Sequence, residues 1–261
     1  MNASLRTECL LGTRQDILTF ITDWLTTPSN TGNILWLHGV AGSGKSTIST
    51  TVAEYFRNLH CLGAFLFFDR NDRAGSSPST FIRTIAYQLA RSNPHIQSKI
   101  SEVIDNDVSV VTAPIRTQFK KLLLDPLNAA QSHIRGPVIV VLNALDECGD
   151  AHSREGLLSL MPNDFAKLPP IFRFLITSRP DSDIADGFLL QSWIIKMHLD
   201  ITMPLSMVDV LRYIRYRMEY IRKQQHRWNL DSRWPGYSAI QALANYSGGL
   251  FIWASTVPNL Y

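Results

Sequence analysis

Residues 34–47 read ILWLHGVAGSGKST. An apolar run ends at His38, and three glycines and a lysine follow between positions 39 and 45. The spacing Gly39-x4-Gly44-Lys45-Ser46 is that of a loop cradling phosphate between a strand and a helix. Glycines let the backbone curl until successive amide hydrogens point inward. The next helix adds its unpaired N-terminal amides and the positive end of its dipole. The stretch Gly39, Val40, Ala41, Gly42, Ser43, Gly44, Lys45, Ser46 and Thr47 is therefore expected to hold phosphates. Lys45 suits the β- and γ-phosphates, and the Ser46 hydroxyl suits magnesium.

The surroundings supply the strand and helix that this motif requires. Before it, Ile17, Leu18, Ile21, Trp24 and Leu25 recur at helical spacing from Thr13 onward, with Thr13 and Asp16 resembling a capping pair. TTPSNTGN (26–33) is a turn-rich break. After the loop, Ile48, Val52, Tyr55, Phe56 and Leu59 mark a helix face. GAFLFF (63–68) reads as a buried strand and DRNDRAGSSP as the loop leaving it. Phe81, Ile82, Ile85 and Leu89 then line a helix, and further helical stretches run through Ile115, Phe119, Leu122 and Leu123. Three apolar runs follow, PVIVVL, FRFLIT and WIIKMHL. Continuous apolar strands alternating with helices predict an α/β fold with a parallel sheet covered on both faces. Beyond Pro204 the pattern is wholly helical. Val208, Leu211, Ile214, Met218 and Ile221 form its apolar stripe, while Arg212, Arg215, Arg222 and His226 read as a solvated basic face.

Composition bounds the function. The 261 residues are 45% apolar and 18% charged, ordinary for a globular core, and the net charge of +3 is too weak to argue for nucleic acid or an acidic membrane. Cys9, Cys61 and Cys148 are odd in number and lack metal-ligand spacing, which suits a reduced, cytoplasmic protein. The opening residues lack the apolar core of a signal peptide, and LANYSGGLFIWASTVPNLY is a poor bilayer span.

Two strand ends carry candidate chemistry. PVIVVL runs into Asn143-Ala144-Leu145-Asp146-Glu147, where Asp146 could hold a magnesium water and Glu147 could orient the attacking water. FLITSRP (174–180) ends on Arg179, placed to stabilise or sense the γ-phosphate. His38 reads as a packed histidine, and Asp69 and Asp72 as solvated. Arg70 has two open readings, reaching the crevice or capping its loop.

Together these segments resemble the NACHT family of signalling NTPases (STAND class), in the fungal form close to nephrocystin-3-like P-loop modules. CLLGTR (9–14) resembles the leading segment that packs near adenine, through Leu11 and Gly12. LNALDEC resembles the family's DALDEC, FLITSRP its sensor strand, and SGGLFIWAS (247–255) the stretch closing its helical domain, with Phe251 at a position near adenine. The resemblance implies a doubly wound, five-stranded parallel sheet of the P-loop NTPase type. It implies a leading segment over 1–30, a nucleotide-binding domain over 31–203, and a small helical domain over 204–261 that stops near where a winged helix would begin. It also implies ATP or ADP with Mg²⁺ held by Ser46, Asn143 and Asp146, and catalysis by Asp146, Glu147 and Arg179.

Family members act as nucleotide-gated switches, closed with ADP and self-associating with ATP, often in innate-immune recognition. Their effector and sensor domains are absent from this sequence. Asn143 departs from the family, since an amide offers no charge to Mg²⁺ where an acid is usual. Nucleotide binding with slow hydrolysis is therefore expected, beside the alternative of a binding module with little or no turnover. A metabolic kinase would need an acceptor site and an arginine-rich lid, and neither is legible before Arg179.

Overall fold

The computed structural model describes residues 7–28, 32–72, 75–224, 231 and 233–256. Five strands, β1 (Ile34–His38), β2 (Leu62–Phe67), β3 (Val138–Asn143), β4 (Phe172–Ser178) and β5 (Ile195–His198), form one sheet in the order β2-β3-β4-β1-β5. Every pairing is parallel, with Leu37 opposite Thr177 and Phe67 opposite Asn143. The central strands β3 and β4 are buried throughout, as unbroken apolar runs require when both sheet faces are covered.

Period-two alternation sorts these side chains between two cores. Leu35, Leu37, Ile139, Val141 and Leu175 pack against the helices α1 (Gln15–Thr26) and α2 (Lys45–Asn58). Ile34, Trp36, Val140, Leu142, Phe174 and Ile176 face the opposite layer. That layer contains α3 (Phe81–Ser92), α4 (Pro94–Asn106), α5 (Ile115–Gln118), a π-helical stretch Phe119–Leu124, α6 (Asp125–Ala130), α7 (Ala151–Asp164) and α8 (Ser182–Leu189). Trp36 is fully buried there, its indole N–H donating to Ser178 Oγ at 2.8 Å. Each such buried side chain contributes roughly 1.5–3 kcal/mol.

From Pro204 the chain is helical: α9 (Pro204–Gln224), α10 (Tyr237–Ser247) and α11 (Phe251–Thr256) share a smaller core of Val210, Ile214, Met218, Ile221, Ala244 and Ala254. Among the described residues no helix is long and apolar enough to cross a membrane.

Several expectations need correction. The Thr13–Asp16 cap does not form: the Thr13 hydroxyl donates to Leu10 O, and α1 begins after Arg14 without a side-chain cap. Tyr55 and Leu59 are exposed because α2 turns Ile48, Val52, Ala53 and Phe56 to the sheet. On α9 the stripe runs through Val210, with Val208 exposed, since the helix is rotated by a fraction of a turn from the expected register. The run WIIKMHL pairs only from Ile195 to His198. His226 lies outside the described residues.

Candidate functional site

The glycine loop leaves β1 at the carboxyl edge of the sheet and delivers the chain into α2 at Lys45. Gly42 (φ 76°) and Gly44 (φ 98°) adopt left-handed conformations that a side chain would strain. A Cβ on Gly42 would also stand 2.2 Å from Ile252 Cγ2 on α11. The first amides of α2 have no intrahelical acceptors, so this helix end is suited to anions.

Lys45 is buried, and its ammonium donates to Gly39 O at 2.7 Å and Val40 O at 2.9 Å. Burial lowers its pKa to about 8, against the opposing field of Asp146. The loop and helix end open on a cavity of about 390 Å³, a size suited to a small organic ligand. Gly42, Gly44, Lys45, Ser46 and Thr47 form one wall. Tyr213 and Phe251, in edge contact at 5.8 Å, belong to the other.

On the third side the lining is Cys9, Leu10, Thr13 and Arg14, not Leu11 and Gly12. Leu11 is 91% exposed, and Gly12 O instead accepts from Arg212 Nη1 at 2.6 Å. Arg212, expected on a solvated face, thus ties α9 to the leading segment. Cys9 N–H donates to Thr51 Oγ1, and burial raises its thiol pKa.

Arg14 is the lining residue of this cavity whose place the sequence reading missed. Its backbone N–H donates to Asp209 Oδ2 at 2.9 Å. Its guanidinium donates to Ser206 Oγ at 2.8 Å and to Ser43 O at 3.0 Å, and lies 4.9 Å from the Phe251 ring centre. It joins the leading segment, the glycine loop and α9 in one buried cluster. Ile252 N–H completes the connection by donating to Gly42 O at 3.1 Å. The quoted GTR triplet contained the only available signal, and nothing in it indicated a partner near residue 206.

Behind Lys45, at the ends of β3 and β4, stands a polar network. Asn143 is fully buried; its Oδ1 accepts from Ser49 Oγ and Thr177 Oγ1, both at 2.7 Å, and its Nδ2 donates to Ser46 Oγ at 3.2 Å. Ala144 follows in the left-handed region (φ 59°), held by its N–H donating to Thr177 Oγ1 at 3.1 Å. Asp146 accepts from Arg179 twice, from the backbone N–H at 3.0 Å and from Nε at 2.7 Å. This pairing raises the arginine's pKa. Glu147 faces Arg70, with Arg70 Nε 3.8 Å from Oε1 and the Arg70 N–H donating to Oε2 at 3.3 Å. Arg70 therefore does reach the strand-end carboxylates.

Arg154, buried on α7, underpins the same turn by donating to Asp146 O at 2.7 Å and Gly149 O at 3.1 Å. It also grips Asp183 Oδ2 through Nε and Nη2. His38 is packed as expected, stacked between Trp36 and His198 at 4.3 and 5.1 Å, and burial lowers its pKa.

The structure thus brings Ser46, Asn143, Asp146 and Arg179 together, yet the arrangement does not fit magnesium. Beside a nucleotide, Mg²⁺ is held in near-octahedral geometry by phosphate oxygens, waters, a hydroxyl lone pair and a strand-end carboxylate. Here the amide of Asn143 is spent on three hydroxyls, and both oxygens of Asp146 are bonded to an arginine that balances its charge.

A family model described as Nephrocystin 3, N-terminal matches residues 12–179, from the leading segment through the glycine loop to Arg179. No curated protein matches the chain.

Proposed function

Because the chain belongs to the nephrocystin 3 N-terminal family, we propose that it is a P-loop nucleotide-binding module of the NACHT type. It takes ATP or ADP as the ligand of a signalling switch. The phosphates lie on the glycine loop and the N-terminus of α2, and the base lies toward Tyr213 and Phe251. One observation carries this reading. A left-handed glycine loop with a buried lysine opens on a cavity whose far wall is aromatic and belongs to the C-terminal helices. Nucleotide occupancy would therefore be felt directly by α9 and α11, which is what a switch needs.

Of the two forms such a protein can take, the binding module is favoured over the efficient ATPase. Asn143 brings no charge, Asp146 is neutralised by Arg179, and Glu147 is turned to Arg70. With neither strand-end carboxylate free to orient water, turnover is slow. Signalling through self-association, and effector or sensor partners outside this sequence, follow from the same reading.

The test is binding of labelled ATP and ADP to the full chain and to Lys45→Ala. Loss of at least tenfold in the variant is expected. Equal affinity in both proteins, or no binding to the parent, would refute the proposal.

A further inference from the structure

We infer that the glycine-loop site binds its nucleotide free of a divalent cation, with the Ser46 hydroxyl donating to a phosphate oxygen where a cation would otherwise be held. This rests on the nucleotide reading above and goes beyond it to the ionic form of the ligand.

The proton inventory around Asn143 carries the inference. Thr177 Oγ1 accepts from Ala144 N–H, and among the described residues Asn143 Oδ1 is the acceptor for its own proton. Turning the amide over would set Nδ2 against Thr177 and leave that proton without an acceptor at a fully buried position. The orientation is therefore fixed, and Nδ2 points at Ser46 Oγ. Ser46 spends a lone pair on this bond, and among the described residues no acceptor takes its proton. A serine in this state, lining the cavity at the N-terminus of α2, is a donor to anions. An aspartate at 143 would do the reverse, accepting the Ser46 proton and turning its lone pairs toward a cation.

The remaining charges agree. Arg14 and Lys45 line the cavity, Glu8 is the only acidic lining residue among the described residues, and neither Asn143 nor Asp146 reaches its wall. Positive charge for the phosphates thus comes from side chains and the helix end. A cation entering would meet the positive end of an amide dipole.

The experiment is calorimetric titration of the full chain with ADP and with ATP, in EDTA and in millimolar Mg²⁺. Affinities within about threefold of one another are expected in the two media. Asn143→Asp should make binding cation-dependent, at least tenfold tighter with Mg²⁺. Should that variant fail to fold, Ser46→Ala decides: it should weaken binding in EDTA by at least threefold, whereas a cation-holding serine would matter only with Mg²⁺. Parent binding that is tenfold or more weaker in EDTA overturns the inference and leaves the nucleotide reading standing. Absence of binding in both media overturns the two together.

Discussion

Replacing Arg154 with leucine would remove the support beneath the turn that carries Asp146 and Glu147. The guanidinium makes four hydrogen bonds, two to the carbonyls of Asp146 and Gly149 and two to Asp183 Oδ2. Its side chain is 4% exposed, and that of Asp183 is 22% exposed. Breaking a buried ion pair from one side costs about 3–5 kcal/mol, because the partner keeps its desolvation penalty. Asp183 retains some access to water, so the lower end applies, about 3 kcal/mol. For a chain of this size that is a fall in Tm of about 6 °C or more.

Urea unfolding of parent and variant measures the loss. Glu102→Gln provides the control: it breaks the exposed Lys99–Glu102 pair and should cost less than about 0.5 kcal/mol. A loss below about 1 kcal/mol in Arg154→Leu would refute the reasoning. So would full stability in Arg154→Lys, because an ammonium cannot reproduce the planar fork that spans both carbonyls and the carboxylate.

Lys45 links binding to pH. Its proton leaves the free protein at about pH 8 because burial disfavours the charge, while bound phosphate favours it. Nucleotide affinity should therefore fall by up to about tenfold per pH unit as pH rises above 8, and a flat profile in titrations at pH 7, 8 and 9 would contradict this. The unliganded protein should show the opposite slope from this group. The unfolded chain keeps the proton up to its ordinary value of 10.5, so the lysine's contribution to stability rises between about pH 8 and 10.5. Thr177→Val keeps the shape of a fully buried side chain but strips Ala144 N–H of its acceptor and Asn143 of one donor. It should cost about 2 kcal/mol in urea unfolding and speed hydrogen exchange at the Ala144 amide, and a loss under about 0.5 kcal/mol would sink the network described for it.

The glycine loop was legible because all its information is local: the spacing of three glycines and a lysine, an apolar run before, a helical period after. The parallel sheet was legible for a similar reason, since strands buried on both faces write themselves as unbroken apolar runs. Arg14 was not, because its role is set by Ser206 and Asp209, and no short window contains both ends of that contact. Leu11 was named where Leu10 lines the cavity because a turn has no period to fix which residue faces inward. Arg154 gave no signal at all, since a lone arginine in AHSREGLLSL reads as solvated until the turn beneath it is built. The Asn143 substitution was visible as a missing charge. Its reach to three hydroxyls was not, because two of them come from α2 and one from β4.

The carbonyls of Gly42 and Ser43 are satisfied by Ile252 and Arg14, and Arg14 is in turn held by Asp209, which lies 195 positions further along. A ribosome releases Gly39–Thr47 long before it has made either of those later residues. On a growing chain those two carbonyls would face water until α9 and α11 are made, although the sheet beside them could already assemble. The loop's final shape therefore depends on α9 and α11, elements made after every strand of the sheet beside it.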